Sequence, residues 1–138
     1  MTAALIFVVS MVFFVQFFVW YTRSVIQASA KHALSDSVRE ITGIGADPVG
    51  ASQFGRLLQL AELCPGSGSD EKRILAVRAY FQGLGVVLSL IPRVPTRALA
   101  KAAAWIDREQ ASCAYFAATA LDRRMAYSRT LLSHGARA

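Results

Sequence analysis

AALIFVVSMVFFVQFFVWY, residues 3–21, has no ionisable side chain other than Tyr21, and none follows until Arg23. Roughly 20 apolar residues at ~1.5 Å each span the ~30 Å hydrocarbon core of a bilayer. In lipid a lone segment must satisfy its own backbone N–H and C=O groups, so this run is a helix. Trp20 and Tyr21 close it, where amphipathic rings favour the headgroup layer, and Arg23 follows as an interfacial cation. Residues 1–22 are therefore expected to form a retained transmembrane anchor. A cleaved leader competes, because Ala28-Ser29-Ala30 has the small-x-small form of a cleavage site. The apolar run is longer than the ~7–15 residues of a leader and has no basic stretch ahead of it, which favours the anchor.

The 138 residues are 54% hydrophobic, an excess concentrated in this run, and the rest suits one modest domain. All 15 Lys and Arg follow the run, and the formal net charge is +6. Arg23, Lys31 and Arg39 come first, so the positive-inside rule places the N-terminus outside and the domain in the cytoplasm. A basic domain beside a membrane is attracted to anionic headgroups by ~1 kcal/mol per residue near the surface. The charges are scattered among Asp and Glu without the clustering or aromatic interleaving of a nucleic-acid face, so no nucleic-acid partner is expected.

Thr22 to Thr42 contains no Gly or Pro, and Ile26, Ala30, Ala33, Leu34, Ser37 and Ile41 recur at helical spacing. The anchor is thus expected to continue as one helix of about forty residues, closed by Gly43. Residues 23–50 form this juxtamembrane helix and a loop, GIGADPVG. Residues 51–138 form the helical domain. A short helix covers Ala51 to Leu63, with Gly55 as its weak point. CPGSGS at 64–69 breaks the chain, and Ser69 or Asp70 caps the next helix. Along it Ile74, Val77, Phe81, Leu84, Leu88 and Ile91 make a narrow seam that calls for a partner helix. Gly83 and Gly85 weaken that helix or admit a close backbone, and Pro92 and Pro95 stop it. Its apolar part, from Tyr80 to Ile91, is too short to cross a bilayer. Thr96 caps a last helix reaching His134. There Leu99, Ala103, Ile106, Cys113, Ala117, Ala120, Leu121 and Leu131 share one face, and Lys101, Arg108, Asp122 and Arg129 the other. The expected fold is all-α: a single transmembrane helix continuing into a small domain of about four helices.

Catalytic signatures are weak. Gly43-x-Gly45 lacks the third glycine and the preceding strand of a nucleotide site. Cys64, Cys113, His32 and His134 lack metal-ligand spacing, and no Cys–His or Ser–His–Asp arrangement is suggested. No cofactor or metal is expected. Gln16 is an amide inside the lipid run, where such groups tend to bond across to another helix. Gln110 and Arg124 fall on the apolar face of the last helix, and a buried Arg needs a carboxylate or a covering protein, unless it snorkels at the helix edge. These three are the candidate partner contacts, and Trp20, Tyr21 and Arg23 the candidate membrane interface. Cys64 and Cys113 are expected as free thiols in the cytoplasm. They are also a candidate disulfide if the domain is exported. The leading functional expectation is a non-catalytic accessory or assembly subunit of a larger membrane complex, with other subunits as partners. The alternative is a membrane-tethered enzyme or ligand binder with a pocket between helices. A homo-oligomeric scaffold is a weaker third.

Overall fold

The structure, a computed structural model, describes residues 1–31, 51–91 and 96–137. Among the described residues the chain is all-helical: α1 (Thr2–Ala30), α2 (Ala51–Leu63), α3 (Gly68–Leu90) and α4 (Arg97–Gly135). The expected continuation through Ala33, Leu34, Ser37 and Ile41, the Gly43 cap and 43–50 loop, His32, and the Pro92 and Pro95 stops lie outside those residues.

α1 closes at Ala30, short of Thr42. No glycine or proline marks that end. The Ser29 hydroxyl donates to the Ile26 carbonyl at 2.7 Å, the kind of local bond that competes with the helix ladder. Residues 1–17 are exposed throughout, and Phe18 and Val19 are the first to touch the core. Beyond them Thr22, Ile26 and Ser29 form one buried stripe, spaced four and three residues apart. α1 is long and apolar enough to cross a membrane, with a window of mean hydropathy 2.4. α3 meets the same length and composition test at 1.3. Its apolar C-terminal half is short, but the helix is continuous for 23 residues from Gly68, so length does not exclude it as the sequence argument supposed.

α4 is the centre of the bundle and packs against α1, α2 and α3. Every residue from Phe116 to Leu121 is buried, as are Ile106, Gln110, Cys113 and Ala114. Alanines at 114, 117, 118 and 120 keep the helix thin there, so neighbours approach from all sides. The expected single apolar face is too narrow a description, because the helix has no solvated side over this stretch. Leu131, assigned to that face, is 49% exposed, since α4 runs past the bundle.

The α3 seam is covered within the chain. Ile74, Val77, Tyr80 and Leu84 are buried, while Phe81, Leu88 and Ile91 lie at the core's margin. Phe81 stacks on Phe54 of α2 with ring centroids 4.1 Å apart. α3 begins at Gly68 with Ser67 as its N-cap, earlier than the expected Ser69 or Asp70, and Asp70 and Glu71 sit in its positive first turn. A Cβ at Gly83 or Gly85 would meet nothing within 4 Å, so among the described residues no neighbouring helix backbone approaches them closely.

Side-chain pairs fix the helix directions. Asp70 meets Arg123 at 3.8 Å and Tyr80 meets Glu109 at 3.0 Å, so α3 and α4 are antiparallel. Arg23 of α1 also reaches Glu109, at 3.1 Å.

Candidate functional site

Trp105, Glu109 and Cys113 are spaced four residues apart and form a stripe on α4 facing α1 and α3. Glu109 is the node. One carboxylate oxygen accepts from the Arg23 guanidinium at 3.1 Å, and the other accepts from the Tyr80 hydroxyl at 3.0 Å. The Glu109 side chain is only 13% exposed, whereas that of Arg23 is 45% exposed. The Arg23 guanidinium also lies 5.9 Å from the centre of the Trp105 ring. One carboxylate thus ties three helices together where α1 enters the bundle. A nearly buried charge is tolerable because both its oxygens are paired.

Burial, reinforced by the charge and hydrogen bond of Glu109, pushes the Tyr80 hydroxyl well above its ordinary range, so it stays protonated and donates. Burial and then the Glu109 charge push the Cys113 thiol up to about 12. The thiolate is the nucleophile in cysteine chemistry, so Cys113 is a small hydrophobe here. Cys64 and Cys113 are both free thiols, the first half-buried and the second fully buried. In the native protein at pH 8, Cys113 should react with a water-soluble thiol reagent at least about tenfold more slowly than after denaturation, because it is enclosed and its thiolate fraction is smaller. Counting fast-reacting thiols with and without denaturant checks this. Equal native labelling of both cysteines would mean that Cys113 is not enclosed.

Arg124 turns inward from α4, only 5% exposed. Its Nη1 donates to the carbonyls of Ala61 at 2.6 Å and Cys64 at 3.3 Å. These are groups at the C-terminal end of α2, which a helix leaves without intrahelical partners and with partial negative charge. Its Nε is buried without a partner. Within the described residues Arg124 thus caps a neighbouring helix of its own chain. Gly66 makes room for it: a Cβ there would come within 2.6 Å of the guanidinium.

Gln110 is buried in the bundle, at 9% exposure. Gln16, Trp20, Tyr21 and Arg23 all lie on α1 and are exposed; Gln16 falls on the bare half, clear of the bundle. Sequence reasoning missed Glu109 and Tyr80. The criterion that singled out Gln110 and Arg124, a polar residue on the apolar side of the last helix, applies equally to Glu109. Among the described residues no group of three or more His, Cys, Asp or Glu is placed to hold a metal ion. No protein-family model, curated protein or solved structure matches this chain.

Proposed function

We propose that this chain is a membrane-anchored accessory or assembly subunit, held by α1 and joined to other subunits through that helix. The observation that carries the reading is the bare half of α1, where Gln16 sits in an apolar surface that the chain's own bundle leaves uncovered. An amide in hydrocarbon is relieved by a hydrogen bond to a neighbouring helix. Further support comes from the interior polar groups. Arg124, Glu109 and Tyr80 are engaged in joining the chain's own helices, an arrangement suited to a scaffold. The charge order along the chain supports a cytoplasmic domain.

Extraction in a mild detergent tests this. The protein should migrate as an assembly well above 15.0 kDa plus its micelle. Gln16→Leu should insert normally but recover less of that assembly, because Leu is welcome in lipid yet offers no hydrogen bond. A monodisperse monomer in several mild detergents would remove the proposal. Full recovery of the assembly with Gln16→Leu would remove Gln16 from it.

A further inference from the structure

We propose that the cavity between the N-terminus of α3 and the Arg123–Tyr127 stretch of α4 is a binding site for a phosphoryl group, held by the two arginines, Tyr127 and the helix end. The proposal is independent of what covers α1. It starts from a donor that the fold leaves over. Arg124 is 5% exposed, and its Nη1 is used on the carbonyls of Ala61 and Cys64. Its Nε is buried and has no partner. A buried donor without a partner is costly, and the acceptors that a guanidinium matches best are the oxygens of carboxylate and phosphate. Arg124 forms part of the wall of a cavity of about 190 Å³. One water needs only ~10–15 Å³ of such space, so a tetrahedral oxyanion fits.

The rest of the wall suits an anion. Ser67 and Asp70 bring the start of α3 to the cavity, and Arg123 and Tyr127 reach it from α4. The amides of Asp70 and Glu71 bond the Ser67 carbonyl, so those of Gly68 and Ser69 stand ahead of the first bonded turn. Ser67 makes no side-chain capping bond, and its hydroxyl meets that of Ser69 at 2.9 Å. The N-terminus of a 23-residue helix carries partial positive charge and suits phosphate. Gly66 keeps the space open, since a Cβ there would lie 2.6 Å from Arg124 Nε. Among the described residues the Asp70 carboxylate is the one opposing charge in this wall. It lies 3.8 Å from Arg123, beyond hydrogen-bond distance, so it does not tie up the donors of that guanidinium. Two guanidinium groups and a helix end leave the cavity net positive. Arg124 also borders a second hollow, shared with Glu62 and Glu71, whose charges repel an anion, so the phosphoryl group belongs on the Arg123 side.

A phosphoryl group can come from solution or from a lipid headgroup, and the test has an arm for each. In the first, the full chain in a mild non-ionic detergent is titrated with inorganic phosphate against sodium chloride at matched ionic strength. Calorimetry reads binding, and the denaturant midpoint reads the linked stabilisation. In the second, mass spectrometry of the full chain released from the same detergent compares retention of phosphatidic acid with that of phosphatidylcholine. Phosphate should bind and raise the midpoint beyond chloride, or phosphatidic acid should be retained in preference; which of the two responds assigns the source. In the responding arm Arg123→Gln should weaken binding at least about tenfold, as loss of a charge-assisted hydrogen bond does. Arg129→Gln, an exposed cation on the same helix, should leave it within about twofold of the parent. Arg124→Met removes Nε and should abolish the response; if that variant does not fold, Arg123→Gln decides alone. No response in either arm overturns the proposal. So does a response that Arg123→Gln leaves intact, or one that Arg129→Gln weakens equally, which is attraction to the general surface charge.

Discussion

Arg124→Ala is expected to destabilise the protein by about 2–4 kcal/mol, the cost of losing the guanidinium hydrogen bonds to two helix-end carbonyls and leaving a cavity, less the relief of no longer burying a charge. The carbonyls are those of Ala61 and Cys64, and the relief arises because Nε has no partner in the native bundle. Arg124→Met restores much of the volume but no donor, so it should recover only the cavity part. Arg124→Lys keeps the charge but loses the planar fork that reaches both carbonyls, and should fall short of full recovery. Gly66→Ala attacks the same contact from the other side, by pressing a methyl into the guanidinium. Its cost should largely vanish in the Arg124→Met background, a coupling that a double-mutant cycle reads directly. Denaturant titration of the full chain in mild detergent, followed by helical signal, measures all of these. Arg129→Ala, on an exposed residue of the same helix, is the control at about ±0.5 kcal/mol. If Arg124→Ala were no worse than that control, the guanidinium would not be capping α2.

Arg124 also shows how much of this molecule is legible from its residues. The sequence singles it out, because a cation on an apolar helix face needs an explanation. It cannot name the solution, because the partners are backbone carbonyls 63 and 60 residues earlier, and carbonyls leave no mark in side-chain pattern. Glu109 shows the converse. It is one carboxylate among nine acidic residues, and becomes distinctive only when Arg23 and Tyr80 arrive from two other helices. Helix existence and type were legible for all four described helices, since Pro, Gly and apolar period mark them locally. The end of α1 at Ala30 was not, because no glycine, proline or break in apolar period marks it in the sequence. The all-round burial of α4 was not either. A periodicity argument assigns a helix one wet face, and alanine, which suits core and surface alike, hides the exception.

That exception carries the second large effect. Phe116→Ala should cost about 3–5 kcal/mol, the range for deleting a buried aromatic ring. Phe116 is 2% exposed and the largest of the fully enclosed side chains. Its neighbours along α4 at 114, 117, 118 and 120 are alanines, too short to fill the hole. Phe81→Ala removes a ring of equal size from a half-covered site stacked on Phe54, and should fall nearer ~2 kcal/mol. The pairing of Phe116 with Ala118 is what tests the central position of α4. Two residues along an α-helix are separated by about 200°, so they point to nearly opposite sides. Ala118→Leu should therefore also destabilise, by about 1–3 kcal/mol, through overpacking at a site with no exposed surface. A helix with one wet face would tolerate one of the two substitutions. Loss of stability from both, by denaturant titration, is expected only where α4 is enclosed on both sides, and a neutral Ala118→Leu would return it to the edge of the bundle.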